Sequence, residues 1–205
     1  MYSYIYRFFQ SLILKRSFYD DVLEIINYAN KFNQVVEIGC ADSLILKKLK
    51  LSFFYHGYEI EKNYILKSKK LYKNEKKYSF FNKGIDQIDF RNYNPKKTII
   101  IIVGVFHHVD SNKIEKFMEK TKDFTVYAID AVRIKDQNFL TKFLLNNDKG
   151  KFVRHIDDYK KLLKDYDFLI ARNMYLRFPY DHLVSTKNID YQFLKSIFKK
   201  NLFTN

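Results

Sequence analysis

The chain has 205 residues, of which 47% are hydrophobic and 29% are charged, a composition typical of one globular domain with enough length to bury a core. Its formal net charge of +14 would suit a nucleic-acid or membrane partner. However, seven of the 37 basic residues are arginines and 30 are lysines, whereas nucleic-acid readers favour arginine for paired hydrogen bonds. The excess of lysine over arginine, together with abundant Asn, Ile, Phe and Tyr and no Trp, indicates an AT-rich genome. We therefore expect no specific nucleic-acid partner.

Cysteine usage and hydrophobic runs bear on the compartment. Cys40 is the only cysteine, which excludes an internal disulfide and favours a reducing, cytoplasmic compartment. We expect no transmembrane segment, because no apolar run reaches membrane-spanning length. Arg7 and Gln10 interrupt the apolar N-terminal stretch and no small-residue cleavage site follows, so no signal peptide is predicted.

Residues 2–30 are predicted to form one or two helices, because apolar side chains recur there at helical spacing. Asp20 is a candidate N-cap for the second helix. The simplest role for this segment is packing on a sheet. Contact of residues 4–16 with a membrane surface is a weaker alternative.

Residues 35–43, with the sequence VVEIGCADS, are predicted to form a strand and a small-residue turn before a helix at residues 44–49. Such a turn places backbone N–H groups and a helix N-terminus beside a ligand at the end of the strand. Glu37 lies at that end, where a carboxylate suits a cation or a ribose. A second apolar strand, residues 53–59, ends in Glu59, about twenty residues past the turn and placed to bind ribose hydroxyls.

These residues resemble the class I S-adenosylmethionine-dependent methyltransferases. The first motif of that family, Asp/Glu-x-Gly-x-Gly-x-Gly, reads here Glu37-Ile38-Gly39-Cys40-Ala41-Asp42-Ser43. Ala41 and Ser43 replace two glycines, which makes a positive φ costlier there. An NAD-binding Gly-x-Gly-x-x-Gly fits worse, since only Gly39 is present, and an ordinary strand-turn-helix of an α/β domain remains an alternative.

Residues 61–71 are predicted to form a helix and residues 78–82 a third strand. The resemblance implies that the following loop, with Ile85 and Asp86, frames an adenine. It also implies S-adenosylmethionine as the cofactor and an N-terminal helical piece that acts as a lid. The cofactor site that it implies comprises Glu37, Gly39, Cys40, Ala41, Glu59, Ile60, Ile85, Asp86 and Gly104. No metal site is predicted.

The run TIIIIV at Thr98–Val103 is typical of a strand buried on both faces of a parallel sheet. Gly104 and the pair His107-His108 follow, and they resemble the fourth motif of the family. His108, or as a second choice His107, is a candidate base that takes a proton from an acceptor hydroxyl. Packing of either His, or methyl transfer without a base, is the alternative.

No proline lies between residues 104 and 109, so the Asn/Asp-Pro-Pro-Tyr/Phe motif that grips a flipped base is absent. Residues 111–122 are predicted to form a helix and residues 124–129 the fifth strand. Asp130, at the end of that strand, is the third candidate catalytic residue. It is placed to bind substrate or orient a His, or else to cap the next turn.

A second resemblance covers the C-terminal third. Asp148-Lys149-Gly150-Lys151-Phe152-Val153-Arg154 and the later Phe178-Pro179-Tyr180 resemble a bacterial subfamily of small class I methyltransferases with an Asp-Arg-Gly-x-x-Val-Arg segment. Together the resemblances span residues 6–184. Arg154 is a candidate ligand of an anionic acceptor group, or it pairs with Asp157 or Asp158. Tyr180 is a candidate wall of the acceptor pocket.

Residues 156–164 are predicted to form a helix, residues 166–172 and 182–186 an antiparallel edge hairpin, and residues 189–202 a terminal helix. The sequence therefore predicts one α/β domain, a Rossmann-like three-layer sandwich with a mostly parallel seven-stranded sheet and an antiparallel last strand. Residues 1–33 would be the N-terminal lid or packing segment, residues 34–188 the catalytic core and residues 189–205 the terminal helix.

The predicted function is S-adenosylmethionine-dependent methylation of a small-molecule or saccharide-type acceptor, in the form of O-methylation. Two other classes remain open: a nucleic-acid methyltransferase or RNA-binding module, and a non-catalytic relative that has lost the cofactor.

Overall fold

A seven-stranded sheet forms the centre of the molecule. The computed structural model describes residues 18–29, 32–47, 53–148, 150–172 and 181–202. The strand order is β3-β2-β1-β4-β5-β7-β6, parallel except for β7, which is antiparallel to both β5 and β6. The strands are β1 Gln34–Ile38, β2 Phe54–Tyr58, β3 Tyr78–Phe81, β4 Thr98–Val103, β5 Thr125–Ala131, β6 Asp167–Arg172 and β7 Asp181–Lys187.

Helices connect and cover these strands. They are α1 Phe18–Ala29, α2 Lys62–Leu71, α3 Ser111–Lys120, α4 Phe139–Asn146, α5 Ile156–Leu162 and α6 Tyr191–Leu202. Short 3₁₀ turns follow β1, β3 and β4, and one of them, Phe106–His108, carries the histidine pair. The Asp110 side chain caps α3 by accepting a hydrogen bond from Lys113 N at 3.0 Å, which fixes where the loop after β4 ends.

Strand β4 shows why the core has two halves. Ile99 and Ile101 point into one buried cluster, while Ile100 and Ile102 point into the other, and none of the four is exposed to solvent. Alternate residues of a strand face opposite sides of a sheet, so a continuous apolar run is needed where helices cover both sides. The three-layer α/β sandwich predicted from the sequence is confirmed.

The strand order reverses between β1 and β4, and the carboxyl ends of these two strands mark the side of the sheet that matters for ligand binding. Both strands run in the same direction, with Ile38 beside Ile102, so the turns that begin at Gly39 and Gly104 lie next to each other. In open α/β sheets this reversal leaves a crevice at the carboxyl ends of the strands. Glu59 after β2 and Asp130 near the end of β5 border the same edge.

The structure differs from the sequence predictions at two places, and one further prediction lies outside the described residues. The helix expected at residues 44–49 is a single 3₁₀ turn, Leu44–Lys47, before residues outside the described part. Helix α4 was not predicted. Its sequence FLTKFLLN leaves Phe139, Leu140 and Phe143 exposed, so it lacks the polar face by which helices are recognised. The lid segment before residue 18, with Tyr180, lies outside the described residues.

The described helices are all too short or too polar to span a lipid bilayer.

Candidate functional site

The turn after β1 requires its glycine for two reasons. Gly39 adopts a φ of +74°, and a Cβ atom there would lie 2.3 Å from Cγ2 of Val105 in the loop after β4. The backbone N–H of Gly39 donates to the carbonyl of Tyr58 at 2.8 Å. At the strand-order reversal the backbone of Gly39 therefore packs against the side chain of Val105. A larger residue at position 39 would prevent this contact.

Ala41 and Ser43, which stand where the resembling motif has glycines, both adopt a positive φ. Ala41 and Ser43 have φ values of 44° and 54°, a left-handed conformation that costs a residue with a side chain about 1–2 kcal/mol. Side chains of α2 and the turn that follows it offset part of this cost around Ser43. Ser68 Oγ donates to Ser43 Oγ at 3.2 Å, and the Tyr72 hydroxyl donates to the Ser43 carbonyl at 3.1 Å. The turn therefore keeps some backbone strain, which these two hydrogen bonds partly offset.

The carboxylate of Glu59 lies across this turn. Its Oε2 accepts a hydrogen bond from the Ala41 N–H at 3.1 Å, and its Oε1 accepts one from the Glu61 N–H at 2.9 Å. Glu59 is partly exposed, so the carboxylate is fixed by backbone donors and still borders solvent. This is where a carboxylate can accept hydrogen bonds from the hydroxyls of a ribose held against the turn.

Glu37 is a buried acid behind the turn. It is 2% exposed and accepts a hydrogen bond from the hydroxyl of Tyr55. Burial raises the pKa of Glu37 from its ordinary 4.5 to about 8, and the negative charge of Glu59 adds to the rise, so Glu37 is protonated at neutral pH. Burial, together with the charge of Glu37, raises the pKa of the Cys40 thiol to about 12, which makes that thiol a poor nucleophile.

Tyr55 was missed by the sequence analysis, although strand β2 carries a signal for it. A Cβ on Gly57 would lie 2.8 Å from Cys40 Sγ and 3.0 Å from Cε1 of Tyr55. A glycine inside a strand often marks such a close approach. Here it makes room for the tyrosine ring and the thiol beside the buried acid.

The loops after β2 and β3 meet at the predicted adenine site. A Cβ on Gly84 would lie 3.0 Å from Asp86 Oδ1 and 3.5 Å from Cγ2 of Ile60, so these residues are neighbours. Ile60 is 68% exposed, an unusual position for an apolar side chain, whereas Ile85 is buried in the core. Lys113 lies 3.6 Å from the Asp86 carboxylate. Ile60 and Asp86 thus offer an apolar surface with an acid beside it.

On the other side of the reversal, His107 is held between two carboxylates. Its Nδ1 hydrogen-bonds Asp130 Oδ1, and its Nε2 lies 3.5 Å from Asp148 Oδ1. Burial lowers the pKa of His107, but the hydrogen bond and charge of Asp130 and the charge of Asp148 outweigh burial, so the pKa is raised above 6.5. Asp148 was not among the predicted site residues, although it belongs to the quoted motif.

His108 has the opposite environment. Its ring lies 4.0 Å from the ring of His107, measured between centroids, and the side chain is exposed. Partial burial and the charge of His107 lower the pKa of His108 below 6.5, against the smaller effect of nearby acids. His108 is therefore neutral at pH 7, with a ring nitrogen able to accept a proton.

Arg154 contacts backbone rather than either predicted aspartate. Its Nη1 donates to the carbonyls of Phe106 and Phe152 at 2.8 and 3.1 Å, and its Nη2 donates to Val109 O and Ser111 Oγ at 2.7 and 3.2 Å. These bonds fasten the loop after β4. Binding of an acceptor anion by Arg154 stays a prediction, and it would require exchange of some of these bonds.

Solved structures share this fold. The methyltransferase domain of bacterial CtHen1-CN matches with a TM-score of 0.59 and 19% identity, over 82% of this chain and 96% of that chain. A SAM-dependent methyltransferase from Aquifex aeolicus matches with a TM-score of 0.55 and 12% identity, over 82% and 89%. Magnesium protoporphyrin IX methyltransferase from Synechocystis, solved with bound SAH, matches with a TM-score of 0.58 and 13% identity, over 83% and 82%.

The chain has the fold of class I methyltransferases. No protein-family model and no curated protein matches its sequence. At identities of 12–19% structural likeness establishes the fold alone, because one fold hosts many reactions. The activity has to follow from the side chains at the end of the sheet.

Proposed function

We propose that this protein is an S-adenosylmethionine-dependent methyltransferase that methylates a hydroxyl group of a small-molecule or saccharide-type acceptor. The observation that carries the proposal is the placement of Glu59. Its carboxylate is hydrogen-bonded to the Ala41 N–H, beside the strand-order reversal, and the exposed Ile60 follows it directly. The carboxylate of Glu59 suits the hydroxyls of a ribose, and the apolar surface of Ile60 suits the adenine attached to that ribose.

The residues around the turn fit the rest of this cofactor. Gly39 and Gly104 both have a positive φ, and neither carries a side chain, so each of the two loops exposes one stretch of backbone that a ligand can approach. Cys40 and Ala41 complete the first loop, and Glu37, buried behind it, would lie near the methionyl amino group. Ile85 and Asp86 belong to the adenine side in this proposal, with Ile85 contributing through its backbone since its side chain is buried.

The acceptor side would act by holding and deprotonating a hydroxyl. When bound, the cofactor supplies an electrophilic methyl group. His108 is neutral and exposed, so it can take the hydroxyl proton on a ring nitrogen. Asp130 hydrogen-bonds the neighbouring His107. Arg154 donates to the carbonyls of Phe106 and Val109, on either side of the histidine pair. Tyr180 would contribute a wall, and orientation of the acceptor would supply much of the rate.

Calorimetric titration with S-adenosylhomocysteine tests this proposal. Glu59→Ala should weaken binding by about 1–3 kcal/mol, because hydrogen bonds to a charged carboxylate are lost. Glu61→Ala is the matched control, since Glu61 is exposed and its side chain makes no cap hydrogen bond to α2; it should bind like the unsubstituted protein.

Absence of binding by the folded, unsubstituted protein would instead support the non-catalytic alternative. Equal binding by the Glu59 and Glu61 variants would remove the ribose assignment. Circular dichroism on each variant separates loss of binding from loss of fold.

A further inference from the structure

A segment after α4 is fastened along the loop that carries the histidine pair. We call Asp148 with residues 150–154 the clamp segment. The Phe152 N–H donates to the His107 carbonyl at 2.9 Å. At the end of the segment, Arg154 reaches the carbonyls of Phe106 and Val109. Three carbonyls of one short loop are therefore satisfied by a segment distant in sequence.

Gly150 lets the segment approach His107 this closely. A Cβ atom at Gly150 would lie 2.1 Å from Cδ2 of His107 and 2.7 Å from the His107 carbonyl oxygen. The Gly150 N–H donates to Asp148 Oδ1 at 2.6 Å. This bond turns the aspartate toward the imidazole, where the same oxygen lies 3.5 Å from Nε2.

We infer that His107 is a positioning residue, which as an imidazolium joins Asp130 of the sheet to Asp148 of the clamp segment. With a carboxylate facing each ring nitrogen, both N–H groups are donors and no lone pair is left to accept a proton. His107 is thereby excluded as the general base. Its task is to fix the 3₁₀ turn so that His108 stands at the crevice, a consequence that rests on the proposed function.

The charges that face His107 predict its response to pH. Asp130 from β5 and Asp148 from the clamp segment favour the imidazolium, while burial and Arg154 oppose it. The two carboxylates prevail and raise the pKa of His107. Because the folded protein holds this proton more tightly than the unfolded chain, the clamp contributes stability below pH 6.5 and loses it as pH rises through the folded pKa.

Nuclear magnetic resonance titration of the histidines tests the inference without methyl transfer. The chain has five histidines, so His107 can be assigned by substitution. We expect its pKa above 6.5 in the unsubstituted protein. Asp148→Asn should lower it by about 1, since one opposite charge is removed. Asp158→Asn, at an exposed acid of α5, should leave it unchanged.

Limited proteolysis supplies the second readout. Cleavage after the exposed Lys151 by a lysine-specific protease should be at least about fivefold faster in Asp148→Asn than in Asp158→Asn, because opening of the segment becomes easier. A His107 pKa at or below 6.5, or equal cleavage in the two variants, would overturn the inference. Both results are independent of cofactor binding, so they are separable from failure of the proposed function.

Discussion

Glu37 and His107 are two ionisable groups, both almost completely buried, on opposite sides of the strand-order reversal. Glu37 is hydrogen-bonded by a neutral phenol, and burial leaves it protonated and uncharged. His107 faces two carboxylates, and they raise its pKa in spite of burial, so they favour its charged form. Burial therefore does not set the charge of a group by itself; the partners decide whether the charged form survives.

Under the proposed function, this contrast gives the two halves of the site different tasks. The half after β1 and β2 is organised by backbone conformation, with a positive φ at Gly39, Ala41 and Ser43. The half after β4 and β5 is organised by charged side chains around His107. A bound cofactor suits the first arrangement, since backbone donors do not change with pH, and proton transfer from an acceptor suits the second.

Replacement of His108 should have the largest effect. If His108 accepts the acceptor proton, His108→Ala should lower turnover by about 10²–10⁴-fold with nearly unchanged cofactor affinity. His155→Ala is the control, at an exposed histidine whose side chain makes no cap hydrogen bond. The pKa of His108 is lowered, so turnover of the unsubstituted enzyme should persist below pH 6.5 before protonation of the base abolishes it.

Full turnover in His108→Ala would show that methyl transfer in this protein proceeds by positioning alone. The contrast between the two halves would then concern structure, and the charged cluster around His107 would serve only to hold the loop after β4.

Glu37→Gln tests the uncharged side of the comparison. Between pH 4.5 and about 8 the unfolded chain ionises Glu37 while the folded protein does not, so stability falls as pH rises, by about 1.4 kcal/mol per pH unit. Glutamine accepts the Tyr55 hydrogen bond without this cost. We expect the free energy of unfolding at pH 7 to rise by about 2 kcal/mol, measured by urea denaturation.

The gain should become small near pH 4.5 and disappear below it, where the glutamate is protonated in both states. A gain of equal size at pH 4.5 and pH 7 would mean that packing, and not ionisation, distinguishes the two side chains. Calorimetry on the same variant would then report whether the cofactor requires the acid.

Ala41→Gly should have the smallest effect. Ala41 has a φ of 44°, so a glycine relieves strain, although it also adds freedom to the unfolded chain. We expect a gain of about 0.5–1 kcal/mol in thermal or urea unfolding. Ser43→Gly is the informative partner, because it relieves the same strain and loses the hydrogen bond from Ser68. It should gain less, and an equal gain would show that this bond contributes nothing.

Much of the fold followed from local patterns. The apolar run at Thr98–Val103 predicted a doubly buried strand, and β4 is buried on both faces. The hairpin of β6 and β7 was also confirmed. Helix α4 was missed because Phe139 and Phe143 remain exposed, so no polar face marks it. A hydrophobic pattern in the sequence identifies a helix or strand only when its apolar residues are the ones that are buried.

The sequence by itself determined where the strands lie along the chain, the turn at Gly39 and the acid Glu59 after β2, because strand ends and turns depend on neighbouring residues. Tertiary structure decided the ionisation of Glu37 and His107 and the use of Arg154 on backbone carbonyls. These properties depend on desolvation and on partners such as Tyr55 and Asp148, which the fold brings together from distant parts of the chain. Local sequence patterns therefore do not predict these properties.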